Sequence, residues 1–182
     1  WAYRQAGVVA TVRLDKPLDG VAHEYFLPSG PFAILPLTGR RASLVWTESP
    51  ARAEALRSAR PEVFHAHLQR RFGELLGGAR LDGPVFSYPL SLHLPERITA
   101  PRAALLGDAA HGVHPVAGQG LNLGLKDAAA LAQVLAEAAR LGEDTGSEVV
   151  LDRYARWRSV DNVGLAVAAD AFVRLFSNDN PL

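Results

Sequence analysis

The chain has 182 residues, of which 48% are hydrophobic and 21% charged, so it is long enough for a sizeable core and has the composition of a globular protein. Nineteen basic and nineteen acidic side chains balance, which gives no electrostatic reason to expect nucleic-acid binding. The absence of Cys excludes disulfides, thiolate metal ligands and Cys nucleophiles, and no apolar run is long enough to span a bilayer.

The first hundred residues carry the pattern of an antiparallel sheet followed by helices. Short β-prone runs are separated by turn-forming Gly, Pro and Asp residues, and two helical segments follow them. A later alternating run predicts one more strand, broken or bulged at Pro89, because proline cannot donate a ladder hydrogen bond. The predicted strands are 6–14, 22–28, 31–37, 42–47 and 84–94, and the predicted helices are 50–60 and 61–76.

The aromatic residues of this half suit either a sheet core or the wall of an apolar pocket, and both interpretations stay open. They are Trp1, Tyr25, Phe26, Phe32, Trp46, Phe86 and Tyr88.

The second half of the chain predicts a different fold. Residues 103–107 form a continuous apolar run, typical of a strand buried on both faces. A glycine-rich loop precedes a helix over 121–141, whose polar residues form one narrow stripe, so we expect this helix to be largely buried. Asp127 lies off that stripe and should face protein, where a carboxylate needs a partner. Ser147 is placed to cap a final helix over 148–177.

Asp108 and the glycine-rich stretch after it are the strongest candidates for a ligand site. Asp108 follows the predicted strand, at the sheet edge where α/β folds bind ligands, and its carboxylate suits either polyol hydroxyls or a turn cap. The run 118–124 is not a dinucleotide fingerprint, because that motif places its first glycine directly after the strand. Its glycines and the helix start after them nevertheless favour a flat or anionic ligand, because unpaired N–H groups and a positive dipole end meet there.

Two other kinds of site are disfavoured. The spacing of Asp108, His111 and His114 suggests a metal, but Pro115 and the glycines prevent one continuous helix from presenting all three, so we predict no metal site. The chain has no Gly-x-Ser-x-Gly elbow, and hydrolase chemistry is unsupported.

The run HPVAGQGLNLGLKD at 114–127 closely resembles the signature of the ubiquinone-biosynthesis hydroxylases, which are FAD-dependent aromatic monooxygenases with the para-hydroxybenzoate hydroxylase fold. GDAAH at 107–111 resembles the second FAD motif of that family, and the sheet runs at 30–37 and 44–46 are similar to its strands. The residues that match its last helix are Tyr154, Arg158, Asp161, Asn162 and 175–177.

The resemblance implies an α+β fold. Its parts would be an antiparallel, partial substrate-binding sheet domain with flanking helices (1–100), the C-terminal strand–loop–helix part of an FAD-binding α/β domain (101–146), and a long C-terminal helix (147–182).

The resemblance also implies a set of flavin contacts. Asp108 would bind the ribityl hydroxyls of FAD, Pro115 would line the flavin ring, and the N–H groups of 118–122 would face the pyrimidine edge of the ring. The residues implied to bind the cofactor are Gly107, Asp108, Pro115, Ala117, Gly118, Gln119, Gly120, Leu121 and Asn122.

The chemistry that the resemblance implies belongs to the flavin, so no catalytic side chain is assigned. FAD would act with molecular oxygen and with NAD(P)H or another electron donor, on an aromatic, prenylated phenol of the ubiquinone route. Two alternatives stay open: a flavin hydroxylase of a soluble aromatic compound, and a non-catalytic assembly or binding module.

In that family, a Gly-x-Gly-x-x-Gly loop after the first strand and a ribose-binding acid hold the ADP half of FAD, and these 182 residues contain neither. The chain also has no Met. We therefore expect the back part of a longer enzyme, without its N-terminal Rossmann part, that is apo and inactive by itself. The expected location is the cytoplasm, and the substrate class is compatible with peripheral association at the inner membrane, with a quinone-biosynthesis complex and with a homo-oligomer.

Overall fold

The computed structural model describes residues 1–72 and 77–177, which form two compact units. The sheet unit comprises Ala2–Leu90 and the residues from Arg174 onward, and the loop–helix unit comprises Trp1 and Ser91–Val173. The three-part domain division stays a prediction.

The sheet unit is built on one five-stranded sheet. Its strands are β1 (Ala2–Leu14), β2 (His23–Leu27), β3 (Gly30–Pro36), β4 (Arg41–Glu48) and β5 (Ala79–Ser91). They lie in the order β2-β3-β4-β1-β5, and the pairs β1–β4, β3–β4 and β2–β3 are antiparallel. The antiparallel sheet and the α+β class are therefore confirmed.

Alternation of side chains along the strands places one face of the sheet in the core. Val8 pairs with Trp46 across β1 and β4, and Trp46 pairs with Phe32 across β4 and β3, so all three point to the same side. All three are buried, together with residues of two helices, α1 (Pro50–Arg57) and α2 (Pro61–Phe72).

The two helices complete this core with a narrow apolar stripe. Phe64, Leu68 and Phe72 recur every four residues along α2 and are buried. Phe32 lies edge-on to Trp46 and Phe72, with ring centroids 5.6 and 6.3 Å apart. Both helices begin at a proline, as predicted for Pro61, because proline has no N–H to leave unpaired in the first turn. Residues 73–76 of the second predicted helix lie outside the described residues.

The opposite face of the sheet, here called the open face, carries exposed apolar side chains. Phe26, Leu35, Phe86 and Tyr88 lie on it, and Tyr88 is 56% exposed. The rings of Phe86 and Tyr88 stack, with centroids 6.5 Å apart. The structure thus divides the aromatic residues of this half: Tyr25, Phe32 and Trp46 belong to the core or pack against it, and Phe26, Phe86 and Tyr88 lie on the open face.

The loop–helix unit contains little sheet. Its elements are a hairpin of β6 (Thr99–Ala100) and β7 (Ala103–Ala104), two short 3-10 turns (Gly107–Ala109 and Pro115–Ala117), α3 (Gly120–Arg140) and α4 (Glu148–Phe176). The Ser147 hydroxyl accepts a hydrogen bond from Val150 N at 3.4 Å, which confirms the predicted cap of the last helix. Among the described residues, no helix combines the length and the apolar character needed to cross a bilayer.

Two local predictions are wrong, and a third is wrong in part. The run 103–107 is not a strand buried on both faces, because β7 pairs only with β6 in the described chain and Ala103 and Leu105 are exposed. The β5 strand is not broken at Pro89, and the bulge allowed there stays a prediction; β5 is an edge strand, where proline can direct its missing donor away from the neighbour. Only one stripe of α3 is buried, and Leu121 is 75% exposed, because within this unit α3 packs along one side only.

Candidate functional site

A buried carboxylate, Asp127 of α3, is the centre of the loop–helix unit. Its side chain is fully buried and accepts hydrogen bonds from the guanidinium of Arg158 (Nε, 2.7 Å), from His111 (Nε2, 2.5 Å) and from the backbone N–H of Gly107 (3.0 Å). The amide of Asn162 lies 3.4 Å from the same carboxylate. The expectation that Asp127 faces protein and needs a partner is confirmed.

Helix α4 supplies the cationic side of this network. Arg158 is buried and also donates to the carboxylate of Asp161 at 2.6 Å and to the amide oxygen of Asn162 at 3.0 Å. One turn earlier, the Tyr154 hydroxyl donates to the Leu105 carbonyl at 2.8 Å. These side chains recur every four residues on one face of α4, so a single helix face holds both α3 and the segment before the first 3-10 turn.

The hydrogen bonds decide the protonation state of Asp127. Burial by itself would raise the pKa of this carboxyl, because the charged form loses its hydration. The hydrogen bonds from Arg158, His111 and Gly107 outweigh burial and lower the pKa below its ordinary value. Asp127 is therefore an anion throughout the neutral range. Burial of the Tyr154 hydroxyl, together with the negative charge of Asp127, raises the pKa of Tyr154 to about 12.

Asp127 also fixes where Asp108 lies. Gly107 adopts a left-handed conformation (φ +56°), and its backbone passes so close to α3 that a Cβ on Gly124 would lie 3.4 Å from the Gly107 Cα. The turn is closed by hydrogen bonds from the N–H groups of Ala110 and His111 to the Gly107 carbonyl. As a result the exposed Asp108 lies beside the start of α3, its Oδ1 4.0 Å from where a Cβ on Gly120 would be.

The second 3-10 turn is organised by a buried histidine. His114 Nδ1 accepts a hydrogen bond from Val116 N at 3.1 Å, which requires a ring that is unprotonated at Nδ1. Burial lowers the pKa of His114 to about 4, although the nearby charge of Asp170 acts in the opposite direction. The turn ends at Gly118 in the left-handed conformation (φ +59°), which redirects the chain into α3.

The first turn of α3 is left open at its N-terminus. No side chain of the described residues caps this end. The first i to i−4 backbone hydrogen bond of the helix runs from Leu123 N to the Gln119 carbonyl. Within the described chain, the N–H groups of Gly120, Leu121 and Asn122 therefore have no acceptor. Three donors and the positive end of the helix dipole thus face the surface beside Asp108.

The structure brings the predicted cofactor residues to this one end of α3. Asp108, Pro115, Gly118, Leu121 and Asn122 are exposed. Gly107, Gln119 and Gly120 are half-buried, and the Gln119 side chain accepts a hydrogen bond from the Asn122 amide at 3.0 Å. Ala117 closes the second 3-10 turn. Whether these residues bind FAD stays a prediction.

Sequence reasoning missed the network that supports this surface. His111 was considered as a disfavoured metal ligand and as part of a family motif, and it is a fully buried partner of Asp127. Arg158 and Asn162 entered only as matches to a family pattern. Tyr154, Arg158 and Asn162 follow one another at intervals of four residues on the buried stripe of α4, and this spacing identifies Arg158 and Asn162 as buried polar groups.

The family model described as the FAD binding domain matches residues 3–165. The chain belongs to this family. The chemistry of the site fits the assignment: an exposed carboxylate can accept hydrogen bonds from hydroxyls, and unpaired N–H groups can donate to the carbonyl and nitrogen acceptors of a flat ring.

The chain is similar in sequence to two hydroxylases that act on ubiquinone or its precursors, according to their names. The chain is 51% identical to the ubiquinone hydroxylase UbiL of Rhodospirillum rubrum over 97% of its own length and 41% of that protein. It is 37% identical to the 3-demethoxyubiquinol 3-hydroxylase of Escherichia coli over 100% of its own length and 46% of that protein. The resemblance to the ubiquinone-biosynthesis hydroxylases is confirmed, and the chain spans less than half the length of both relatives.

The fold of the chain is also similar to that of a solved structure. PqsL of Pseudomonas aeruginosa, in complex with 2-aminobenzoylacetate, aligns with a TM-score of 0.78 and 26% identity, over 98% of this chain and 50% of that one.

We predict that Asp127→Asn destabilises the fold by about 3–5 kcal/mol, because it leaves the buried Arg158 without its principal counter-charge. Urea unfolding followed by circular dichroism measures this loss. Asp161→Asn is the matched control, since Asp161 pairs with the same guanidinium but is half exposed, and it should cost less than about 1 kcal/mol. Equal losses in the two variants would contradict a special role for Asp127.

We also predict that His114 makes the fold less stable in mild acid. Its folded pKa of about 4 lies below the unfolded value of about 6.5, so the unfolded chain binds more protons between these values. Stability should therefore be complete above pH 6.5 and fall toward pH 4, by at most about 3 kcal/mol. The measurement is the free energy of unfolding as a function of pH.

His114→Asn is the control for this pH dependence, because asparagine can still accept from Val116 N but does not titrate. The difference between the two stability curves should shrink as the pH falls from 6.5 to 4. Parallel curves would show that His114 does not carry the effect.

Proposed function

We propose that the protein encoded by the complete gene is an FAD-dependent monooxygenase that hydroxylates the aromatic ring of a polyprenyl phenol in ubiquinone biosynthesis. The observation that carries this proposal is the open end of α3, where unpaired N–H groups lie beside the exposed Asp108 in a member of the FAD binding domain family. Its identity of 51% to a ubiquinone hydroxylase supports the substrate class.

Each residue of the surface would have a defined part in holding FAD. The Asp108 carboxylate accepts hydrogen bonds from the ribityl hydroxyls. Pro115 lies beside the flavin ring, and the N–H groups between Gly118 and Asn122 donate to the pyrimidine edge. The positive end of the helix dipole at that edge would stabilise negative charge on the bound ring. Because Gly107 and the glycines of the loop have no side chains, a flat ligand can approach the backbone closely.

When bound, FAD supplies the redox chemistry that activates oxygen. The overall reaction takes one ring C–H, O2, NAD(P)H and a proton, and gives the ring C–OH, water and NAD(P)+. The contribution of the protein is to orient the ring and exclude water.

The open face of the sheet unit is the surface that suits an aromatic substrate. Phe86 and Tyr88 stack there, and Phe26 and Leu35 extend the apolar area. Exposed apolar patches of this kind commonly bind ligands or partners. The substrate would bury this area as its ring and prenyl chain bind.

A prenylated phenol partitions into the bilayer, so we propose that the enzyme works peripherally at the membrane that holds it. Fractionation of cells in low and high salt tests this, and an enzyme found only in the supernatant at both ionic strengths would contradict it.

A second candidate is a flavin hydroxylase of a soluble aromatic compound. It is favoured by the similarity to PqsL, whose structure contains 2-aminobenzoylacetate. The quinone profile of a strain that lacks the gene separates the two. An accumulated prenylated phenol supports the quinone reaction, whereas normal ubiquinone with an accumulated soluble aromatic supports the alternative.

We predict that Asp108→Asn weakens FAD binding about tenfold, because the amide replaces an anionic acceptor of hydroxyl hydrogen bonds. The measurement is a flavin-fluorescence titration of the protein produced from the complete gene. Thermal stability of the apoprotein should stay the same, because Asp108 is exposed.

Asp152→Asn is the matched control, a half-buried carboxylate on α4 that pairs with Arg156. It should leave FAD affinity unchanged. If the wild type and the Asp108 variant bind FAD with equal affinity, Asp108 does not contact the cofactor.

A further inference from the structure

A second concave site lies in the sheet unit, on the helix-covered side of the sheet. It is a cleft of about 390 Å³, lined by residues from the end of β4, from α1 and from α2. It shares no lining residue with the open face or with the surface around Asp108. The volume lies within the range of small-molecule pockets.

The inner walls of the cleft are apolar. Trp46 and Leu56 are buried residues of the core and also line the cleft, and Ala59 and Val63 extend the apolar wall toward its mouth. These side chains offer dispersion contacts to a compact apolar body but no charge.

One cation of the cleft is held in place before any ligand arrives. The guanidinium of Arg71 lies over the Trp46 ring, with its Cζ 5.3 Å from the ring centroid. The carboxylate of Glu48, a residue only 2% exposed, accepts hydrogen bonds from Arg71 and, at 3.3 Å, from the Trp46 indole N–H. A buried carboxylate thus orients both the arginine and the ring, which limits the entropy that Arg71 would lose on binding.

Two further cations line the cleft and have no hydrogen-bonding partner among the residues that the structure describes. Arg52 approaches Glu48 only to 3.8 Å, which is too long for a hydrogen bond, and Arg70 has no acceptor or counter-ion within the described chain. Three guanidinium groups and one carboxylate therefore line the cleft, so the lining has an excess of positive charge next to apolar walls.

We propose that this cleft binds a small organic carboxylate with an apolar body. The apolar part packs against Trp46, Leu56 and Val63, and the carboxylate pairs with Arg52 and Arg70 at the mouth. Arginine suits this task because its planar fork matches a carboxylate in two-point hydrogen bonding. The site is separate from the proposed flavin and substrate surfaces, and the inference does not depend on the proposed reaction.

The test is isothermal titration of the protein from the complete gene with 2-naphthoate, and with 2-naphthylmethanol as its uncharged counterpart. Saturable binding of one naphthoate is expected, with the alcohol at least about tenfold weaker, because it cannot pair with the arginines. Binding should also weaken as ionic strength rises.

Variants locate the binding in the cleft. Ala55→Trp places a bulky ring at an exposed lining position of α1 and should lower affinity at least about tenfold by filling the cleft. Arg52→Ala and Arg70→Ala should each lower it about threefold to tenfold. Arg57→Ala is the matched control, since this α1 arginine pairs with Glu54 and does not line the cleft, and it should leave affinity unchanged.

Melting curves of each variant show that the fold is intact, and the altered residues are exposed. The proposal is overturned if naphthoate does not bind saturably, if the alcohol binds as tightly, or if binding survives Ala55→Trp, which would place the probe elsewhere on the protein.

Discussion

The buried charge of Asp127 is the constraint on which the loop–helix unit depends. A carboxylate removed from water must recover its hydration energy from protein donors, and here Arg158, His111 and the Gly107 backbone supply them. These donors come from two segments that are distant from each other in sequence, residues 107–111 and α4, and Asp127 itself lies on a third segment, α3. The position of the turn at 107–109 relative to α3 and α4 is therefore set by one group, and the exposed Asp108 is placed by a residue that is itself inaccessible to solvent.

The polar groups near this turn differ in whether they have hydrogen-bonding partners within the protein. Asp127 is satisfied and buried, whereas the first N–H groups of α3 have no protein acceptor and lie near exposed residues. Unpaired donors held by a rigid framework need no reorganisation when a ligand with acceptors arrives, which is the property of a pre-organised binding site. The sheet unit has a similar contrast, since one face carries the core and the other leaves aromatic rings exposed.

Much of the fold could be predicted because it depends on local patterns. The β-prone runs and the turn residues between them predict β1 and its neighbours, and the capping serine predicts the start of α4. The polar stripe of α3 was enough to predict that Asp127 faces protein. The same stripe predicted too much burial, because apolar composition does not reveal how many sides of a helix have neighbours. The prediction for 103–107 was wrong for the same reason. The run has the composition of a buried strand, but in the described chain β7 has only β6 as a neighbouring strand.

The sequence by itself determined the antiparallel sheet, the glycine-rich approach to α3 and the family resemblance, because these depend on residue type, spacing and local conformational preference. Only the tertiary structure decided which partners Asp127 has, which aromatic residues lie in the core and which on the open face, and that Arg71 lies over Trp46 beside Glu48. Those outcomes join residues far apart along the chain. They depend on which elements pack together, and no local preference of the backbone specifies that packing.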